Sequence, residues 1–347
     1  MTVASGTGAG GPRRAVPRRG RGAWVVLSVV VTLVAAGLIV AQPWRWWGVG
    51  EGSAPPLGPT ADVTGSVTPT PATPIPASPT PSPAPTPSAA PSVTGLPVEV
   101  AAGQRWVDQF RPSLAAQTGL TEADLDRAAA AAIGLPAYAA GVEGFLFPGT
   151  YTFPVNTDPA DLDPADLDAA ATALLSQMTA QFSATAAALD LEEGAANLGL
   201  TPLEVVTVAS IVQAEVKSPD DQRKAARAIY NRLAGGTPLG VETAYRYGRL
   251  MAEGVPYDDA VTLAQQQADT PYNVYRNPGL PAGPIGNPGA AALDAALHPA
   301  DGDWLYWVTV DLDTWETVFT ADYSEFLAAA DRFYAWCDAH GDPPGCY

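Results

Sequence analysis

Glu215 closes the run VVTVASIVQAE, and its spacing separates it from the other acids of the chain. Val208, Ile211, Val212 and Glu215 recur at three- and four-residue intervals, which a helix places along one stripe. Three of the four are apolar and the fourth is a carboxyl group. A carboxyl on a core-facing stripe is desolvated, and desolvation raises its pKa. A general acid working near neutrality needs that raised value. The competing reading is a half-exposed glutamate near a helix end, paired with a basic residue of the next helix. Spacing alone does not separate the two.

Four further segments bear on the choice. EGFLFPGTY (143–151), ASIVQAE (209–215), YNRL (230–233) and PYNVYRNPGLPAGPIGNPG (271–289) occur in this order. Together they resemble the MltG/YceG-like family of endolytic murein transglycosylases, over roughly residues 98–335. The resemblance implies a membrane-anchored protein whose LysM-like subdomain precedes an α+β catalytic part. It also implies cleavage of the MurNAc–GlcNAc β-1,4 bond of peptidoglycan strands to give 1,6-anhydro-MurNAc ends, with no metal or cofactor. The family's catalytic acid is the second of its ASIVEKE stretch, which falls on Glu215, while Gln213 replaces the first. The helix stripe and the family pattern thus select the same residue.

Substrate contacts are expected from Tyr272, Asn273 and Tyr275, since flat rings stack on sugar faces and a carboxamide both donates and accepts. The same segment also reads as a packed loop in which the Asn caps its own backbone. Glu143 is a candidate second carboxylate, although an acid before Gly in a turn is more often structural. Leu239-Gly240-Val241-Glu242-Thr243 departs from the family's L-Q-S-D-P, with Glu242 in place of its Asp. Gly149 stands where an acid is usual and Phe326 where a His is common. These departures leave open an alternative, a weakened or inactive wall-binding scaffold on the same fold. A two-carboxylate hydrolase using Glu215 and Glu242 is a further reading.

The elements that must hold these residues are marked at their ends. Thr201 as N-cap, Pro202 at the first helical position and Glu204 three residues after the cap predict a helix across Pro202–Lys217. Ser218-Pro219-Asp220-Asp221 opens another, running to Gly235. Upstream, Arg105–Gln117 and Thr121–Ile133 read as short helices, the second with a Thr121-x-x-Asp124 capping pattern. Asp163–Leu191 carries Leu167, Ala171, Leu174, Leu175 and Met178 at helical spacing. Strand-like runs are 143–154, Trp304–Val310 and Trp315–Thr320, with a last helix from about Tyr323. Helices flanked by strands give an α+β fold.

The chain around this part is divided by composition. Residues 1–22 carry five arginines and no acid, a basic tail expected in the cytoplasm. Residues 23–41 (AWVVLSVVVTLVAAGLIVA) are apolar over a length that spans a bilayer, with Trp24 at one end and Trp44, Trp46 and Trp47 past the other. A single-pass anchor with everything after it outside the cell membrane is the expectation, against a cleaved signal peptide. Residues 42–97 form a Pro/Thr/Ser-rich linker, with 14 prolines between 51 and 97, too poor in apolar surface to fold. The LysM-like subdomain is expected at 98–154 and the catalytic domain at 155–347.

Beyond residue 50, 12 Lys and Arg stand against 36 Asp and Glu, a net of −24. So acidic a domain excludes nucleic acid and anionic lipid as natural partners; wall-synthesis proteins remain candidates. Two histidines, His298 and His340, leave little for a His-rich metal site or a Ser–His triad. The two cysteines, Cys337 and Cys346, flank a turn-forming DPPG. A tail disulfide is expected in an oxidising compartment, with two free thiols as the alternative.

Overall fold

The computed structural model describes residues 95–131, 133–154, 163–259, 268–341 and 346. These fall in one compact unit, Ser92–Tyr347. The expected basic tail, the anchor and the linker up to residue 94 lie outside the described residues. The linker ends earlier than expected, because Leu96 already opens the first strand. Among the described residues no single helix is long and apolar enough to cross a membrane.

Strand β1 (Leu96–Val100) pairs antiparallel with β2 (Gly149–Phe153), with Val98 opposite Tyr151. Between them run a π-helical turn at Trp106–Phe110, helix α1 (Arg111–Thr118) and helix α2 (Glu122–Ala129). Thr121 caps α2 with the full capping box. The expected strand at 143–154 is shortened to Gly149–Phe153. Residues Glu143–Phe147 turn instead, because Gly144 sits at φ +89° with Pro284 so close that a Cβ there would lie 2.6 Å from it.

Helix α3 (Pro164–Ala188) follows, its first turn held by the Asp163 carboxylate accepting from the Ala165 and Asp166 amides. Its Leu174, Leu175 and Met178 complete the core of the β1–β2 subdomain with Phe110, Leu114, Leu125 and Phe153. Farther along, Phe182 and Ala186 enter the second core. The expected boundary at 154/155 therefore cuts through a shared core.

The second core surrounds helix α5 (Pro202–Glu215), which follows the short α4 (Leu191–Asn197). The expected cap holds: Thr201 accepts from the Glu204 amide, and Glu204 returns the bond. Every residue from Val205 to Val212 is buried. The helix is buried on all sides, not along the single stripe expected. Helices α6 (Pro219–Ala234) and α8 (Ala290–Leu297) pack on it, and α7 (Glu242–Glu253) starts beside its end.

Strands β3 (Tyr306–Asp311) and β4 (Glu316–Thr320) form an antiparallel hairpin, Trp307 opposite Phe319, covered by α9 (Tyr323–His340). Phe326 packs there against Tyr306 and Tyr323. Helices α7 and α8 have no counterpart in the sequence reading. Cys337 of α9 pairs with Cys346 in a disulfide, Cα atoms 5.8 Å apart. Intact mass measured without reductant should therefore fall two hydrogens short of the reduced chain, and two alkylatable thiols in material from an oxidising compartment would contradict the pairing.

Candidate active site

Glu215 is the last residue of α5, where the buried helix emerges. Its two oxygens are held separately. Thr243, at the start of α7, donates its hydroxyl to Oε1 at 2.6 Å, and the Trp307 indole on β3 donates to Oε2 at 3.2 Å. Burial raises the Glu215 pKa above the usual carboxylate range; the two donors oppose the shift and the neighbouring charge of Glu242 adds to it. A carboxyl so placed is biased toward its neutral form, the form that a general acid needs.

The other expected site residues divide into two groups. Glu242 and Tyr275 lie with Glu215. Glu242 is half-buried and ion-paired with Arg246 one turn on, at 2.7 Å. Tyr275 feels the charges of both Glu242 and Glu215, and burial carries its phenol far above the usual value. Gly240 lies against this ring: a Cβ there would come 3.7 Å from Tyr275 and from the Arg232 guanidinium. Its φ is +59°, which favours glycine, and its amide donates to the Val274 carbonyl at 3.1 Å, tying this segment to the one that carries Tyr275.

Glu143 and Tyr272 form the second group. The Glu143 carboxylate accepts from the Trp106 amide at 3.0 Å, the Tyr247 hydroxyl at 3.1 Å and the Asn287 carboxamide at 3.1 Å. Tyr272 packs edge-on to Tyr247 at 4.9 Å and feels the Glu143 charge. Glu143 is thus a hub joining three segments, the structural role weighed for it at the outset. Asn273 likewise holds its own loop: its carboxamide donates to the Ala268 carbonyl at 2.7 Å and accepts from the Tyr275 amide at 3.2 Å.

The long Gly/Pro-rich segment is stitched to the core from several sides. The Ser210 hydroxyl accepts from the Ile285 amide at 3.0 Å, and Gln213 accepts from the Gly289 amide at 3.1 Å. At Gln213 the replacement of an acid keeps the acceptor. Gly149, the other departure upstream, opens β2 opposite Val100.

Burial pushes the Glu143 pKa up to about 7, although the Trp106 amide, the Tyr247 hydroxyl and Arg105 all favour its charged form. The folded value lies above the unfolded one, so this group stabilises the fold fully below about pH 4.5. That contribution is lost as pH rises through about 7, and amounts to roughly 3 kcal/mol. Denaturant unfolding at pH 5 and pH 8 should show wild type weaker at pH 8, with the difference reduced in Glu143→Gln. Equal pH dependence in the two proteins would remove Glu143 as a source.

Sequence reasoning nominates Glu215 and does not reveal what holds it. Thr243 and Trp307 sit 28 and 92 residues away, on elements that only the tertiary fold brings together. Tyr247 and Asn287 were likewise missed, since a Tyr in an aromatic run and an Asn before Pro read as packing and turn.

What fold and site define is an α+β unit with two desolvated carboxyls, Glu143 tied among three segments and Glu215 at a helix end, a class suited to acid–base work. The chain belongs to the YceG-like family, whose sequence model matches residues 90–332. Among curated relatives, the endolytic murein transglycosylase of Bacillus subtilis (strain 168) is 35% identical over 130 residues, 38% of this chain and 34% of that protein. The endolytic murein transglycosylase of Streptococcus pneumoniae serotype 2 (strain D39) is 30% identical over 174 residues, 48% of this chain and 28% of that protein. The chain thus matches about a third or less of the length of these relatives. A crystal structure of a YceG-like protein from Listeria monocytogenes superposes with a TM-score of 0.53 at 24% identity, covering 68% of this chain and 76% of that one. That likeness supports the mixed α+β fold.

Proposed function

We propose that this chain is an endolytic lytic transglycosylase of peptidoglycan, with Glu215 as its single acid–base group. The carrying observation is the Glu215 carboxyl itself, desolvated at the end of a core helix and bonded through each oxygen to a different element. Glu215 protonates the leaving oxygen of the MurNAc–GlcNAc β-1,4 bond as that bond breaks. The MurNAc O6 hydroxyl attacks C1 and gives its proton to the same carboxylate, closing the 1,6-anhydro ring. No water is consumed. One carboxyl suffices because the nucleophile belongs to the substrate, with the entropic advantage of an intramolecular attack.

Glu242 and Tyr275 flank the reacting sugar in this reading, and Tyr272, Asn273 and Glu143 shape the adjoining wall. The family resemblance and the curated relatives support peptidoglycan strands as substrate. The β1–β2 subdomain would serve as the LysM-like module. Residues 23–41 anchor the protein in the cell membrane and leave the enzyme outside the cytoplasm, where nascent strands and the proteins that make them are found. A reporter fused after residue 60 should then be active only outside the cytoplasm.

Digestion of purified peptidoglycan, with end groups read by mass, tests the reaction. Fragments ending in 1,6-anhydro-MurNAc are expected. Reducing ends would show hydrolysis and turn attention to Glu215 with Glu242; binding without release would make the protein a scaffold.

A further inference from the structure

We propose that Trp307 and Thr243 are positioning residues that decide which oxygen of Glu215 carries the transferable proton. This rests on Glu215 being the acid of the reaction above. The two donors differ in what they can do. An indole N–H only donates, whereas a threonine hydroxyl donates or accepts by rotating about its C–O bond. Trp307 donates to Oε2 at 3.2 Å, so a proton on Oε2 would cost that bond. Thr243 donates to Oε1 at 2.6 Å and can turn round to accept from it once Oε1 is protonated. Oε1 is therefore the oxygen that releases and regains the proton, and Oε2 stays an acceptor throughout.

Both donors stand on fixed backbone. Trp307 lies within β3, opposite Phe319 on β4, with α9 packed over the hairpin. Thr243 is the second residue of α7, next to Glu242, whose ion pair with Arg246 spans the helix's first turn. The charged and titratable groups around Glu215 are Glu242 and Arg246 on α7, Tyr257 beyond α7 and Tyr275 in the Gly/Pro-rich segment. Lys217, two residues past Glu215, is directed over the Trp315 ring at 4.4 Å. Glu242 shifts Glu215 only through space, while Thr243 and Trp307 touch its oxygens.

The test uses the full-length chain and two readouts. Carbodiimide couples to protonated carboxyls, so the pH dependence of labelling on the Glu215 peptide, read by mass, gives the protonation midpoint without reference to activity. Trp307→Phe removes a donor that serves only the carboxylate and should raise the midpoint by about one pH unit, whereas Thr243→Val removes a hydroxyl that serves both forms and should raise it by less. Thr243→Ser keeps a hydroxyl and should restore the wild-type midpoint. The alkaline limb of kcat/KM for glycan release should move upward with it, because activity falls as the acid loses its proton. Midpoints unchanged in both Val and Phe variants would overturn the proposal. Shifted midpoints beside an unmoved alkaline limb would keep the positioning role and reject Glu215 as the catalytic acid.

Discussion

Glu215→Gln should cut the release of 1,6-anhydro ends by about 10²–10⁴-fold or more while the protein unfolds at an unchanged temperature. Gln matches Glu in shape, and its carbonyl oxygen can still accept from the Trp307 indole. Its amide nitrogen can meet the Thr243 hydroxyl as a donor, since that hydroxyl is free to accept. The packing of α5 against its neighbours is untouched, because Val205–Val212 make it and Glu215 lies beyond them. Only the transferable proton is lost. A variant that releases fragments at the wild-type rate would move the chemistry elsewhere, and a lowered melting temperature would place the loss on folding.

Asn287→Leu should cost far more stability than its exposure to solvent suggests. Asn287 is fully buried, and its carboxamide makes three bonds to two segments, one at Gln104 and two in the turn Glu143–Phe147. It accepts from the Leu146 amide at 3.0 Å and donates to the Gln104 carbonyl at 3.0 Å and the Glu143 carboxylate at 3.1 Å. Leu fills nearly the same volume and answers none of them. The Leu146 amide loses its partner, which costs about 1–3 kcal/mol, while the Gln104 carbonyl keeps the residue 287 backbone amide and Glu143 keeps Trp106 and Tyr247. With the other two lost bonds at about 1 kcal/mol each, a loss of roughly 3–5 kcal/mol is expected. For a domain of this size that lowers Tm by about 10 °C. A fall in Tm of only a degree or two would show that the three groups find other partners.

How much of this was legible depended on how local the cause was. The caps at Thr121, Thr201 and Ser218 were read correctly because each is settled within four residues. Glu215 was found through its apolar neighbours, although the premise was too narrow: the helix is buried on every side, so the stripe through Val208, Ile211 and Val212 is one of several. Helix α7 escaped notice because its buried residues include Gly248 and Arg249, which no apolar period predicts. Helix α8 is short and follows a proline-rich run that reads as loop. The strand expected through Glu143–Phe147 was lost to a contact with Pro284, more than a hundred residues on. Thr243 and Trp307 belong to the same kind. Nothing near them in the chain says that they meet a carboxyl.

That Glu215 ends α5 has a further consequence, in the direction of the backbone. Peptide dipoles along a helix add up, leaving about half a negative charge at the C-terminal end. An acid in the last position faces the unpaired carbonyls of its own helix and is pushed toward its neutral form. The same residue in the first turn, beside the Glu204 of the cap, would be held ionised instead. The polarity of the chain through α5 therefore works with burial to favour the neutral form of Glu215.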